Sequence, residues 1–282
     1  MFSERTESEM NQTNSSVLSK GPIDLHTPIR FQDDLPEATD VVVIGGGIIG
    51  VSTALFLADE GYAVTLIEKG RMACEQSSRN WGWIRQHGRD EDELPIMIEA
   101  NRLWGELDEQ VGGRTGFTRG GIMYLASSDA VMEKRAKWVE IAKQHQLDTR
   151  MLTKSEIADH IDQGGGAAHE WVGATYTAND ARAEAWQAVP ALCELAQERG
   201  VRIVEACAAR ALETENGQLR GVITEQGTIR CEQAVLAAGA WSSLFLQRHD
   251  VRIPQLSVRS FVSATAPMKE VFKGNAADET LA

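Results

Sequence analysis

The hydrophobic pattern of residues 41–67 predicts a strand, a helix and a second strand. Residues 41–44 are wholly apolar and residues 63–67 nearly so, which is typical of parallel strands buried on both faces. Residues 48–60, between them, have the length and apolar content of a helix. The order strand, helix, strand predicts a βαβ unit in a parallel sheet.

Further helices are predicted along the chain. Apolar residues lie near one face of residues 93–110, and residues 129–145 show a second amphipathic pattern. The segment 120–125 between them is strand-like. Residues 183–199 predict another helix, which Gly200 ends as a C-terminal cap.

The last third of the chain predicts antiparallel strands followed by one more parallel strand. Short apolar runs at 208–213, 219–224 and 228–231 are separated by glycine-containing turns, which indicates a small meander. Residues 233–238 are largely apolar and end at Gly239, as a buried parallel strand would. A mixed α/β protein is predicted rather than a simple repeat of βαβ units.

Composition and charge narrow the class of protein. The chain has 282 residues with 43% apolar content, which is enough for a large core. Its formal charge of −13 argues against nucleic acid as a partner. Because the sequence shows neither an apolar run of about 20 residues nor a signal peptide, a cytoplasmic location is the default expectation. Residues 1–36 are polar and without periodicity, which predicts a disordered tail.

The cysteines and histidines predict neither disulfides nor a metal site. Cys74, Cys193, Cys207 and Cys231 show no paired spacing. The six histidines form no cluster at metal-ligand spacing. We therefore expect reduced thiols and no bound metal.

The glycines after the first predicted strand indicate a dinucleotide cofactor. Gly45 and Gly47 permit a tight turn and a close approach of the backbone to a pyrophosphate, and Gly50 lets the following helix pack on the strand. Glu68, at the tip of the second strand, can accept hydrogen bonds from ribose hydroxyls and would repel a 2'-phosphate, so NADP is disfavoured. The alternative is a purely structural glycine turn.

Three ordered stretches carry a resemblance to a known family. They are the glycine turn through Glu68, residues 78–85 with the sequence Ser-Arg-Asn-Trp-Gly-Trp-Ile-Arg, and residues 235–242 with the sequence Val-Leu-Ala-Ala-Gly-Ala-Trp-Ser. Together they resemble the FAD-dependent amine oxidoreductases of the D-amino-acid oxidase superfamily, in the sarcosine and dimethylglycine oxidase branch or the D-amino-acid dehydrogenase branch. The resemblance covers roughly residues 38–265 and implies FAD as cofactor.

The resemblance also implies a domain organisation. It implies an FAD-binding Rossmann-type domain of the glutathione-reductase-like class, formed by residues 37–90 and 171–250. An α+β substrate domain, formed by residues 91–170 and 251–282, is interleaved with it. Members of the family continue past the position of Ala282, so the second part of the substrate domain is expected to be truncated.

Carried over position by position, the resemblance assigns residues to each part of the cofactor. Those assigned to the diphosphate and ribose are Gly45, Gly47, Gly50, Glu68 and Lys69. Those assigned to the flavin side are Ser78, Arg79, Asn80 and Gly82. Ala209 stands where backbone groups pair with adenine, and Gly239 and Trp241 belong to the strand and turn beneath the cofactor.

Arg85 is the candidate for substrate binding. Its position resembles that of an arginine that grips the substrate carboxylate in sarcosine-oxidase-like enzymes, and a guanidinium is suited to bidentate contact with a carboxylate. The alternative is a surface arginine paired with Glu91 or Asp92.

Four further residues of this region have other expected roles. Trp81 and Trp83 are expected either as aromatic walls of the site or as core residues. His87 is predicted to be a solvated loop histidine, with substrate binding or modulation of the flavin as the alternative. Cys74 lies in the cofactor loop, but no flanking pattern supports a covalent flavin link.

The leading functional hypothesis is an FAD-dependent oxidoreductase. It would oxidise the C–N bond of a small amino acid or N-alkyl amino acid to an imine by hydride transfer to flavin, with oxygen, a quinone or a protein as the final electron acceptor. One alternative is a non-catalytic, truncated FAD-binding fragment or subunit, and the resemblance allows for a further subunit. A second alternative is an NAD-dependent dehydrogenase.

Overall fold

The computed structural model describes residues 21–161, 171–263, 265–266 and 268–278. The strands are β1 (Val41–Ile44), β2 (Val64–Ile67), β3 (Trp83–Ile84), β4 (Ile122–Ala126), β5 (Thr149–Thr153), β6 (Gly173–Thr177), β7 (Ala181–Arg182), β8 (Arg202–Val204), β9 (Ala209–Glu215), β10 (Gln218–Thr224), β11 (Gly227–Arg230), β12 (Gln233–Leu236) and β13 (Asn275–Asp278). The helices are α1 (Ile48–Asp59), α2 (Leu94–Gln110), α3 (Asp129–Gln144), α4 (Lys154–His160), α5 (Ala185–Glu198) and α6 (Ser242–Gln247).

A four-stranded parallel sheet carries the glycine turn. Its strand order is β12-β1-β2-β8, and β1 pairs in parallel with both β12 and β2. Strands β1 and β2 are buried along their whole length, as the apolar runs predict. The predicted βαβ unit is therefore confirmed, and so is the parallel pairing of the strand before Gly239, although β12 is half-buried rather than buried.

Each face of the parallel sheet packs against a different layer. On one side, residues of α1 and α5 join the sheet in a large apolar core that includes Val51, Leu55 and Leu192. A second core forms between the sheet and the three-stranded antiparallel sheet, of order β11-β10-β9. This small sheet is the predicted meander. Burial on both faces explains why the two inner strands, β1 and β2, are apolar at nearly every position, whereas Arg202 of β8 and Gln233 of β12 are exposed.

A second mixed sheet has the strand order β13-β4-β6-β5. In it β6 is antiparallel to both β4 and β5, whereas β13 is parallel to β4. A two-residue ladder between β3 and β7 links the loop after β2 to this sheet, because β7 follows β6 after only a short turn. The chain segment that carries Arg85 is thus fixed against the second sheet.

The predicted domain division stays a prediction, and the sheets follow it only in part, because strand β6 of the second sheet comes from residues 171–250. The parallel sheet draws its strands from residues 37–90 and 171–250, and β13 places part of residues 251–282 in the second sheet. Within the part of the chain that the structure describes, no helix is long and apolar enough to cross a membrane.

Residues 21–36 differ from the predicted disordered tail. Ile23 and Phe31 are only 4% and 3% exposed and belong to the large apolar core. The buried carboxylate of Glu205 accepts the N–H groups of Arg30 and Phe31 with one oxygen and that of Met72 with the other. Few apolar residues suffice here because hydrogen bonds to Glu205 hold the backbone in place. Residues 1–20 of the predicted tail lie outside the described residues.

Candidate functional site

A cavity of about 550 Å³ opens at the carboxyl ends of the parallel strands. Ligands of open parallel sheets bind at this edge. The site residues predicted from the sequence that line the cavity are Gly45, Gly47, Glu68, Lys69, Asn80, Ala209, Gly239 and Trp241. The lining also contains residues that the sequence analysis did not single out, among them Ser77, Cys207, Arg210 and Arg248.

The turn after β1 requires glycine. Gly45 has φ of +118°, and a side chain there would collide with the carbonyl of Ala237. A side chain at Gly50 would collide with the carbonyl of Gly45, so Gly50 allows α1 to pack behind the turn rather than lining the cavity. The backbone of this turn is therefore exposed to the cavity at close range, as a pyrophosphate site needs.

The N-terminus of α1 faces the same cavity through Gly47, Ile48 and Ile49. The N-cap residue Gly47 has no side chain to cap this terminus, and the first turn contains no acidic residue. The hydroxyl of Ser77 accepts the N–H of Ile48 at 2.9 Å. Ser77 thus binds the first N–H group of α1, and the dipole of this 12-residue helix suits an anion such as a phosphate beside it.

Glu68 lies at the end of β2, with 8% of its surface exposed. One carboxylate oxygen accepts the N–H of Gly46 at 2.7 Å, and the other accepts the N–H of Gly70 at 2.8 Å. Burial raises the pKa of Glu68, while these two N–H groups act in the opposite direction. Each oxygen keeps a further lone pair, so the carboxylate can still accept hydrogen bonds from ribose hydroxyls.

Lys69 and Trp241 meet across the cavity lining. The Nζ of Lys69 lies 2.5 Å from Oε1 of Glu75 and 4.2 Å from the centroid of the Trp241 ring. Trp241 follows Gly239, which has φ of +51° and brings the chain after β12 back toward the cavity. The end of β2 and the turn after β12 therefore contribute to one cavity, although Lys69 and Trp241 are about 170 residues apart in the sequence.

Ser78 and Arg79, which were predicted to border the flavin, lie outside the cavity lining. The hydroxyl of Ser78 accepts the N–H of Ile23 at 3.2 Å. Arg79 donates to the carbonyls of Ile23 at 2.9 Å and Glu75 at 2.8 Å, and also to that of Cys74. Both side chains thus fasten the segment beginning at residue 21 to the cavity loop, and their contact with flavin stays a prediction.

Asn80 and Gly82 shape the same loop. The amide nitrogen of Asn80 donates to the carbonyls of Gln76 and Ser77, and its oxygen accepts the N–H of Gly82 at 2.7 Å. A side chain at Gly82 would collide with the carbonyl of Ala183. Asn80 lines the cavity. Gly82 instead allows the loop to pack closely against Ala183, the residue that follows β7.

Arg85 is half-buried and lies beyond the cavity lining, beside the second sheet. Its guanidinium donates to the carbonyl of His87 at 2.6 Å and lies 6.0 Å from the centroid of the Tyr124 ring. Glu91 is one of the two surface partners considered for Arg85. Its Oε1 lies instead 3.8 Å from Nε2 of His145. The guanidinium is therefore held by the loop itself.

His87 is not solvated, so that prediction is wrong. The residue is 2% exposed, and its ring stacks on Trp138 with centroids 5.0 Å apart. Its Nδ1 lies 3.3 Å from the carbonyl oxygen of Ile122, which can only accept, so Nδ1 carries the proton. Nε2 then accepts the hydroxyl of Thr175 at 2.9 Å. Burial lowers the pKa of His87 to about 3, which keeps the ring neutral.

Asp180 is a site-region residue that the sequence analysis missed. It is fully buried between β6 and β7. Its carboxylate accepts the N–H groups of Gln86 at 2.8 Å and His87 at 3.1 Å. Burial raises the pKa of Asp180 to about 6, although these N–H groups oppose the shift. The only sequence signal is the polar pair Asn179-Asp180, which an exposed turn would show equally well.

The two tryptophans of the loop have different environments. Trp83 is half-buried, with its ring centroid 6.1 Å from that of Tyr124. Trp81 is 64% exposed and lies 5.2 Å from Trp83, centroid to centroid. Trp83 therefore belongs to a packed aromatic cluster beside Arg85, while Trp81 presents an aromatic face to solvent.

Comparisons with known proteins agree on one family. The family model described as "FAD dependent oxidoreductase" matches residues 40–280. Sarcosine oxidase subunit beta from Arthrobacter sp is 28% identical over 76% of this chain and 54% of its own length. The mitochondrial pyruvate dehydrogenase phosphatase regulatory subunit of Mus musculus is 26% identical over 86% of this chain and 28% of its own length.

A solved structure gives the same result. L-amino acid deaminase from Proteus myxofaciens, in complex with anthranilate, superposes with a TM-score of 0.77 and 31% identity, over 84% of this chain and 53% of that protein. The chain thus spans about half the length of this deaminase and of the sarcosine oxidase subunit.

Proposed function

The chain belongs to the FAD dependent oxidoreductase family, and we propose that it oxidises the carbon–nitrogen bond of a small amino acid or N-alkyl amino acid. The names of two relatives, a sarcosine oxidase subunit and an L-amino acid deaminase, support an amino-acid substrate. The family is FAD dependent, which favours FAD over the NAD-dependent alternative.

The observation that carries the proposal is the convergence of three features on one cavity. The glycine turn, the N-terminus of α1 and the carboxylate of Glu68 all lie at the carboxyl ends of the parallel strands. These residues fit FAD: the turn and helix would hold the diphosphate, and Glu68 the adenosine ribose. Ala209 would contact adenine through its backbone, and the region of Gly239 and Trp241 would lie beneath the cofactor.

The chemistry of oxidation comes from FAD, which accepts a hydride from the substrate carbon when it is bound. The protein has to hold the substrate in the orientation that allows hydride transfer and exclude other orientations. Arg85 would bind the substrate carboxylate through its guanidinium fork. The substrate nitrogen would lose one proton to solvent and the carbon its hydride, and the resulting imine would hydrolyse in water. Oxygen, a quinone or a protein would receive the electrons.

Purified protein tests the proposal directly. Its absorption spectrum should show the bands of oxidised flavin, and an anaerobic screen of amino acids and N-methyl amino acids should bleach them with at least one substrate. Flavin bands that no compound in the screen bleaches would contradict the oxidation of a small amino acid. NADH-dependent fluorescence without flavin bands would favour the dehydrogenase alternative.

A non-catalytic role is the second candidate. It is favoured by the likeness to a relative whose name is that of a regulatory subunit. Folded but colourless protein, or flavin-loaded protein that is inert with every amine, would support it. A further subunit is also proposed, because two relatives are named as subunits of sarcosine oxidase. The cytoplasmic location stays a prediction.

A further inference from the structure

A buried carboxylate holds the backbone that follows Arg85. Oδ1 of Asp180 accepts the N–H of Gln86 at 2.8 Å and its side-chain amide at 3.3 Å, and Oδ2 accepts the N–H of His87 at 3.1 Å. We propose that Asp180 is a positioning residue that acts on substrate binding through Arg85. The inference rests on the proposed function, in which Arg85 binds the substrate carboxylate.

Arg85 is constrained on both sides along the chain. Ile84 pairs with Ala181 in the ladder between β3 and β7, and the N–H groups after Arg85 are bound by Asp180. The guanidinium then donates to the carbonyl of His87, a residue that Asp180 itself holds. The carboxylate of Asp180 therefore positions both the backbone next to Arg85 and the residue whose carbonyl binds its guanidinium, His87.

Asp180 is itself fixed to the second sheet. Its N–H donates to the carbonyl of Thr177 at 3.4 Å, and its carbonyl accepts the N–H of Gly121 at 3.0 Å. Gly121 directly precedes β4, which carries Tyr124 beside the Arg85 guanidinium. These hydrogen bonds of Asp180 therefore fix the position of Arg85 relative to the second sheet.

The arrangement requires a carboxylate rather than an amide. Three N–H groups converge on the two oxygens of Asp180. Asparagine has one acceptor oxygen, and its amide nitrogen would face a donor. Asp180→Asn should therefore loosen the loop with little change in side-chain volume.

A double-mutant cycle tests the proposal with acetate as a carboxylate probe. Acetate affinity is measured by tryptophan fluorescence in wild type, Asp180→Asn, Arg85→Lys and the double variant of the FAD-loaded protein. Trp83 contributes to this signal from beside Tyr124, the ring that the Arg85 guanidinium also faces. We expect Asp180→Asn to weaken acetate binding about fivefold to tenfold. The same change in the Arg85→Lys background should have little further effect, because the two residues act as one unit. Flavin absorbance should be unchanged.

Asp148→Asn is the matched control. The carboxylate of Asp148 accepts the N–H of Asn179 at 3.0 Å, in the same turn, but it does not touch residues 85–87. This variant should bind acetate as wild type does. Hydrogen exchange of the Gln86 and His87 amides should accelerate in Asp180→Asn and not in Asp148→Asn. If Asp180→Asn does not fold, Asp180→Glu takes its place in the cycle with the same expected non-additivity.

The outcomes separate this inference from the proposed function. Additive losses, unchanged acetate affinity in Asp180→Asn, or a wild type that does not bind acetate would overturn the positioning role. Additive losses in a protein that still oxidises an amino acid would leave the proposed function intact. A non-additive cycle in a protein that oxidises none would retain the positioning role and reject the proposed function.

Discussion

The ammonium of Lys69 lies 4.2 Å from the centroid of the Trp241 ring, so a cation–π contact joins the end of β2 to the turn after β12. Both residues line the cavity. The contact connects the part of the chain that would bind the ribose with the turn that would lie beneath the same cofactor.

Trp241→Ala should weaken FAD binding. The substitution removes the cation–π contact and an aromatic wall of the cavity, a loss of about 1 kcal/mol or roughly fivefold in Kd. Titration of the apoprotein with FAD, followed by flavin fluorescence, measures it. Trp81→Ala is the control, because Trp81 lies outside the cavity lining and should change the Kd little. Equal effects of the two substitutions would remove Trp241 from the cofactor site.

Glu68→Ala should weaken FAD binding more than Glu68→Gln. Glutamine keeps one acceptor oxygen, whereas alanine leaves the N–H groups of Gly46 and Gly70 without the partner shown by the structure. The penalty for alanine is about 1–3 kcal/mol. Flavin fluorescence gives the three affinities, and identical values for all three proteins would reject the ribose assignment.

Gly45→Ala should destabilise the fold and impair FAD binding. The position combines φ of +118° with a collision against the carbonyl of Ala237. Gly61→Ala is a matched control, since Gly61 has φ of +91° but no described heavy atom within 4 Å of an added Cβ. Backbone strain of about 1–2 kcal/mol applies to both, so the excess loss at Gly45 measures the collision. Urea unfolding gives the values, and equal losses would contradict the close packing of the turn.

His87 should make the protein less stable in acid. Its pKa falls from 6.5 to about 3 on folding, so between these values the unfolded chain binds a proton that the folded chain does not. The free energy of unfolding must then decrease as the pH falls through this window. Asp180, whose pKa rises to about 6, contributes in the opposite direction between its ordinary value of 3.8 and 6.

Urea unfolding between pH 4 and 7 isolates the His87 contribution. The stability difference between wild type and His87→Gln should shrink as the pH falls, because the glutamine variant has no proton to gain. His26→Gln, at an exposed position, is the control. A difference that stays constant across the range would show that His87 is not held neutral by burial.

Esters and amides of a productive substrate should be poor substrates. They lack the carboxylate that the Arg85 fork would bind, and Arg85→Lys should raise KM for the acid by about tenfold while the flavin stays bound. Steady-state kinetics on the acid and its methyl ester give the comparison. An ester oxidised with the same kcat/KM as the acid would exclude Arg85 as the carboxylate anchor.

Local patterns predicted the inner strands of the parallel sheet and the meander well. Each of these structures is specified by residues that lie close together in the sequence. They are the apolar runs of β1 and β2, the glycine turn and the turns of the meander. The surroundings of Arg85 depend on distant partners instead. His87 is buried by Thr175 and Trp138, and Asp180 contacts a residue 94 positions away. No periodicity in the sequence records such contacts, so the polar loop around His87 resembles an exposed one.

The role of Glu205 has a consequence for synthesis on the ribosome. Its carboxylate binds the N–H groups of Arg30, Phe31 and Met72, which are translated more than 130 residues earlier. The central strand β1 likewise waits for β12 to be made. Closing such long loops is slow. The cavity is therefore incomplete until β12 and Trp241 have been made, and chaperones have a long interval in which to engage the nascent chain.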